Sequence, residues 1–311
     1  MKRIIKTLFI LLYLTISTSC TTDDDISHID KEEFETLSTY QFTGTQKFMD
    51  LPHGVSGTQG SANFREYFFQ GYNGNSAIDV YNLRTKAFVC RIPISKPASN
   101  SRYHANTLNF GNQYIAQSDQ FPVLYVCSGY TESSSTKSFV FAYRIIPTED
   151  KFEAELVQTI TLDFGSWTEA VSDNEHDAIW IKDQVDGYTY RKYNVPRIAD
   201  GDCTISIETE ALAEIKLGNQ PFTSHNQGHL FYDDRIFLAS GVPSWNEKIA
   251  LVIINTITGK RESIIDLFDL GLYNTSAPQS NSFEPEGVIV YDNQIMICYR
   301  NAIYKLTNDE N

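Results

Sequence analysis

No Ser-His-Asp order, nucleotide-binding glycine loop or zinc signature occurs in the 311 residues, so no catalytic motif offers itself. Cations are scarce as well: 25 Lys and Arg stand against 39 Asp and Glu, a formal net charge of −14. General attraction to nucleic acid phosphates needs a basic stripe, which this composition excludes. Adsorption to anionic lipid is disfavoured for the same reason. In an exported chain such acidity mostly serves solubility, with cation binding as a second use. Helical periodicity is scarce too, while alternating β-branched and aromatic runs recur throughout. The cysteines follow no disulfide or zinc spacing. Cys90, Cys127 and Cys298 sit in strand-like runs, where cysteine acts as a small buried apolar residue. Free core thiols are therefore expected.

What is present begins with a leader. Lys2, Arg3 and Lys6 precede the apolar run at 8–14, and Ser17-Thr18-Ser19-Cys20 follows. A basic head, a short apolar core and small residues describe a secretory signal over residues 1–19. The apolar run is too short to span a bilayer comfortably. Its removal takes away three cations and no anions, leaving a charge of about −17. Cysteine directly after small residues resembles the bacterial lipobox, which implies acylation at Cys20. The Thr21-Thr22-Asp23-Asp24-Asp25 stretch resembles the surface-export signal of Bacteroidetes lipoproteins. The resemblance implies an outer-membrane lipoprotein at the cell surface, with a periplasm-facing anchor as the alternative. Residues 20–35 read as an acidic tether, since such a polar segment cannot bury enough apolar area to fold.

Residues 36–311 carry an internal repeat. Residues 59–68, 169–178, 227–236 and 286–295 line up without a gap. Each opens on Gln or Glu, runs through a short, mostly apolar stretch, turns at polar residues and resumes as a strand. A looser copy at 104–115 turns at Gly111-Asn112. Repetition at roughly 50–60 residues in an all-strand pattern marks propeller blades. The fold class is therefore all-β, a single β-propeller of five blades, or six if a longer blade hides a divided copy. Blade four reads most clearly, with strands at 228–232, 235–240, 249–255 and 261–267. In blade three the later strands read at 179–183, 188–193 and 204–209. The last copy stops one strand short, and residues 34–42 are the expected donor of that strand, closing the ring and removing an exposed edge.

The strand-start dipeptides Gln59-Gly60, Gln227-Gly228 and Glu286-Gly287 resemble those of glutaminyl cyclotransferase-type and gluconolactonase-type propellers. The resemblance implies a ligand or reaction at the channel mouth; in the second group a mouth carboxylate holds a divalent cation. Gln59, Glu169, Gln227 and Glu286 are expected to ring that mouth, with His104 and Asn106 flanking the fifth position, where an ungapped alignment puts Ala105, and His225 just upstream. Glu169 and Glu286 are the candidate ligands for Ca²⁺, which prefers oxygen donors, or else the ring hydrogen-bonds a neutral ligand. The blander alternative is that these side chains tie blade to blade. Tyr72, Tyr130, Trp167, Trp245 and Arg300 fall on top-face loops, where aromatic planes beside polar groups suit a glycan or a protein ligand. The cluster Asp173-Asn174-Glu175-His176-Asp177 falls at a bottom-face hairpin and reads as a solvated turn. The leading expectation is a surface-anchored, ligand-binding propeller. The alternatives are a hydrolase, lyase or lactonase at the mouth and a structural component of an envelope complex.

Overall fold

A computed structural model describes residues 40–52, 57–74, 77–94, 104–128, 138–165, 168–183, 189–217, 225–271 and 283–308. Their strands form five sheets arranged as a five-bladed β-propeller. An N-terminal strand, β1 (Gly44–Asp50), precedes blade one, which comprises β2 (Thr58–Phe64), β3 (Tyr67–Tyr72), β4 (Ala77–Asn82) and β5 (Ala87–Pro93). Blade two follows with β6 (Ala105–Phe110), β7 (Leu124–Ser128), β8 (Ser138–Pro147) and β9 (Phe152–Asp163). Then come β10 (Glu169–Asp173), β11 (Ala178–Asp183), β12 (Thr189–Asn194), β13 (Cys203–Ser206) and β14 (Ala213–Lys216). Blade four is β15 (Asn226–Tyr232), β16 (Arg235–Ser240), β17 (Ala250–Asn255) and β18 (Lys260–Asp266). Blade five is β19 (Pro285–Tyr291), β20 (Gln294–Tyr299) and β21 (Ala302–Thr307).

The ring closes through β1, which pairs antiparallel with β21 from Gly44↔Thr307 to Asp50↔Ala302. The expected closing segment, 34–42, is displaced: residues 34–39 lie outside the described residues, and Tyr40 and Phe42 pack against the apolar cluster between blades four and five. Tyr40 meets Phe237 edge-on at 5.1 Å and donates its hydroxyl to Asp233 at 2.9 Å. The apolar residues that suggested a strand therefore fill a seam. The pairing falls to a more polar stretch, because an outer strand is held mainly by its backbone.

After the turn at Gly111-Asn112 the next strand, β7, starts at Leu124, and the intervening connection tucks Phe121 into the core while Tyr114 stays exposed. One further expectation is corrected. The strand expected at 204–209 is β13, and it joins blade two in parallel with β9, Cys203 beside Ile160. The outer strand of blade three is β14, paired with β12.

Period-2 alternation explains the core. Successive residues of a strand face opposite sides, so Phe68 enters the seam with blade five and Phe69 the seam with blade two. Five apolar clusters result, one per seam. Hairpins at the bottom face use tight turns. Asp233 and Asp234 have φ of 53° and 56°, and Asp292 and Asn293 have 54° and 55°, as two-residue turns of this kind require. Cys90, Cys127 and Cys298 are free and buried.

The innermost strands β2, β6, β10, β15 and β19 pack around the axis, and β15 also touches β6 and β2 across it. Such closeness depends on the strand-start glycines. A Cβ on Gly60 would strike the Asn106 carbonyl, one on Gly228 the Cα of Gly287, and one on Gly287 the Ser61 hydroxyl. The repeated glycine is thus a packing requirement of the axis.

Candidate functional site

At the start of the five inner strands stand Gln59, Asn106, Glu169, Gln227 and Glu286, all buried. Four of them fall into two charged groups rather than one ring, and Gln59 joins neither, its Oε1 buried without a hydrogen-bond partner among the described residues.

The first group centres on Glu169. Hairpin register places Lys182 directly opposite it, and the lysine Nζ lies 3.1 Å from Oε2. Asn106 donates its amide to Oε1 at 3.1 Å. His229 approaches to 3.8 Å and shares a 3.0 Å hydrogen bond with the Tyr190 hydroxyl. Burial, and then the Lys182 charge, hold His229 well below the ordinary imidazole range. It is therefore neutral, and the pair Glu169–Lys182 carries the ionic contact. Burial pushes Glu169 up, opposed by Lys182. A buried pair of this kind must be well hydrogen-bonded to persist, which the Asn106 amide assists. The group ties blades two, three and four together.

The second group is more open. Glu284 and Glu286 share one guanidinium: Arg300 donates Nε to Glu286 at 2.8 Å and forms an ion pair with Glu284. Gln227 donates to the other Glu284 oxygen at 2.7 Å. Two carboxylates against one cation, out of water, cannot both ionise easily. Burial and then the Glu284 charge hold Glu286 well above the usual carboxylate range, and burial raises Glu284. The Oε2 of Glu286 has no hydrogen-bond partner among the described residues. His104, half-buried, is pushed down to about 4 by burial and by the Arg300 charge.

Beside this group, Trp245 projects from a short 3₁₀ turn, Pro243–Trp245, with 63% of its surface exposed. His225 meets its ring edge-on at 4.4 Å, and Glu247 holds the His225 Nδ1 at 2.6 Å. The charges of His225 and Glu247 both act on Glu284, so tryptophan, imidazole and mouth carboxylates are neighbours.

The expected residues thus sort unevenly. Glu286, Gln227, Arg300, His225 and Trp245 fall on the side of blades four and five; Glu169 and Asn106 form the inner tie. Tyr72 is drawn away from the mouth: it is buried within blade one, its hydroxyl donating to Asp79 at 2.5 Å and its ring beneath Arg91. Tyr130 and Trp167 lie outside the described residues. Glu169 and Glu286, the candidate ligands for Ca²⁺, each pair with a different cation, Lys182 and Arg300. Among the described residues no three His, Cys, Asp or Glu side chains group as metal ligands. The Asp173–Asp177 segment is a hairpin turn on the bottom face, its His176 against Asp173 at 2.9 Å.

Sequence reasoning missed Glu284, Lys182, His229 and Tyr190. Glu284 had a signal in its place two residues before Glu286, at the entry to the innermost strand. Lys182 had one too: counting back from the turn between Asp173 and Ala178 pairs it with Glu169.

No protein-family model matches the sequence, and no curated protein matches it. Among solved structures, a glutaminyl cyclase from Myxococcus xanthus shares 14% identity over 85% of this chain and 97% of its own, with a TM-score of 0.53. A gluconolactonase from Xanthomonas campestris shares 6% over 84% and 88%, with a TM-score of 0.47. An aldose sugar dehydrogenase from Streptomyces coelicolor shares 9% over 85% and 97%, with a TM-score of 0.46. The likeness is one of fold. At 14% identity the glutaminyl cyclase shows the fold and singles out no family.

Proposed function

We propose that this chain is an exported lipoprotein, acylated at Cys20, whose propeller is displayed outside the cell and binds an extracellular glycan on its top face. Trp245 carries the reading. A large ring left mostly in solvent, yet fixed by His225 and a rigid turn, is pre-organised to stack on the C–H face of a sugar. Arg300, Glu284 and Glu286 pair with one another, and Glu284 reaches the tryptophan's His225 through its charge, which makes these groups the hydroxyl partners of this reading. Trp245→Ala should weaken binding to the best ligand of a glycan panel by at least tenfold in calorimetry, in the range of aromatic hot spots. Binding that survives both Trp245→Ala and Glu286→Gln would place the ligand elsewhere, and a protein ligand would leave the glycan panel blank. Cys20→Ala should move the protein from the detergent phase to the aqueous phase in partitioning; retention in detergent would refute the anchor.

A second reading is favoured by Glu286 alone. A buried acid whose proton affinity is raised by burial and by a neighbouring carboxylate is placed as a proton donor, as a hydrolase, lyase or lactonase acting at the mouth would need. Under this reading Glu286→Gln abolishes turnover of a lactone or glycoside while the chain still folds into its propeller.

A further inference from the structure

The turn that carries Trp245 is closed by one carboxylate. Glu247 follows the tryptophan closely in sequence, and only 16% of its side chain is exposed. Each of its oxygens has its own partner. His225 donates its Nδ1–H to Oε1 at 2.6 Å, and the Val242 N–H donates to Oε2 at 3.0 Å. The Glu247 N–H donates in return to the Val242 carbonyl at 3.3 Å, and the Trp245 N–H reaches that same carbonyl at 3.0 Å. The turn thus hangs on the pair Val242–Glu247.

Backbone contacts tighten its neck. The Gly241 N–H donates to the His225 carbonyl at 2.8 Å, and a Cβ on Gly241 would strike the Lys248 carbonyl. The two arms of the turn therefore run against each other. Glu247 is the side chain that joins this neck to the imidazole.

The tryptophan itself has little to hold it. Its ring is largely in solvent, and among the described residues its only ring partner is His225. An exposed side chain with so few contacts would otherwise move among its staggered rotamers. His225 is half-exposed as well, so it can brace the indole only while its own ring is fixed. A hydrogen-bonded partner on one ring nitrogen sets both the orientation and the proton position of an imidazole. The Glu247 carboxylate is that partner.

We propose that Glu247 is the positioning residue of the Trp245 platform. One of its oxygens fixes the imidazole and the other fixes the turn, so the indole is held in place before any ligand arrives. The inference rests on the glycan reading for what the ring receives, while the clamp is a property of the free chain. A pyranose that offers its flat C–H face is the ligand that gains, because the stacking partner need not be ordered on binding.

The test reads the ring first without ligand. The chain has three tryptophans; labelled with fluorotryptophan, it should give a resonance for each in fluorine NMR, and Trp245→Phe assigns the one from Trp245. Glu247→Ala should move that resonance towards its position in the urea-unfolded chain while the other two stay in place. His225→Ala, which removes the brace and keeps the turn, should move it in the same direction. On the best ligand of a glycan panel, Glu247→Ala should bind about twofold to tenfold more weakly, the cost of ordering one side chain on binding. A blank panel would sink the glycan reading and leave the fluorine spectra to decide the clamp. The proposal is overturned if Glu247→Ala leaves the Trp245 resonance where it is, or if it moves all three together, since Glu247 would then hold the fold and not the ring. It is also overturned if a glycan binds and Glu247→Ala binds it as tightly as the wild type.

Discussion

Single residues set the charge state of the mouth. Glu286 has a raised affinity for its proton in the folded state, so above the ordinary carboxylate pKa the unfolded chain releases a proton that the native chain keeps. By linkage, native stability then falls as pH rises through that window. Glu286→Gln removes this dependence. Its melting temperature relative to wild type should climb as pH is raised from about 4.5, the usual glutamate range; a constant difference across pH would contradict the raised affinity. His104 acts in the opposite sense. It stays neutral down to about 4, so stability contributed by its neutral form is lost as pH falls from the ordinary imidazole range towards 4. His104→Gln should flatten the acid limb of the stability curve, read by urea melts at pH 4, 5 and 7.

Elements meet where the inner strands touch. Gly228 and Gly287 lie face to face, and a methyl group there must push backbone against backbone. Gly228→Ala should destabilise by about 1–3 kcal/mol, as overpacking does, and lower the thermal midpoint. A neutral result would mean that the strands can part without penalty. Phe69, fully buried between blades one and two, is the contrasting case. Its substitution by Ala leaves a void and should cost about 3–5 kcal/mol, measured by the same melts.

For the whole molecule, closure is the decisive event. Strand β1 joins the start of the described chain to its end, Gly44 beside Thr307, and so covers an edge of β21 that would otherwise invite pairing between molecules. A chain beginning at Leu51 should therefore aggregate or melt well below the intact protein. Light scattering during refolding would show this, and a monodisperse, equally stable truncation would mean that the ring closes by other contacts.

The repeat itself determined the all-β class, the five blades and the need for a closing strand, because alternation and hairpin turns are local properties of the chain. It also located Gln59, Glu169, Gln227 and Glu286 at the starts of the inner strands, and put Asn106 one residue from the corresponding fifth position. Which segment closes the ring was not local: residues 34–42 carry the apolar signal, yet Gly44–Asp50 pairs, since the rings of Tyr40 and Phe42 find a better place in a seam. The same holds for β13, whose side chains suit an outer strand of either blade, and only packing assigned it to blade two. Nor was it local that four of the strand-start side chains, Asn106, Glu169, Gln227 and Glu286, separate into two groups. Lys182 and Arg300 come from other strands and turns to meet Glu169 and Glu286, and burial, which no single sequence position displays, shifts their proton affinities. The chain thus wrote its blades in local patterning. The division of the mouth into an inner tie and a more open group of charges was decided by which strands the closed ring brings together out of water.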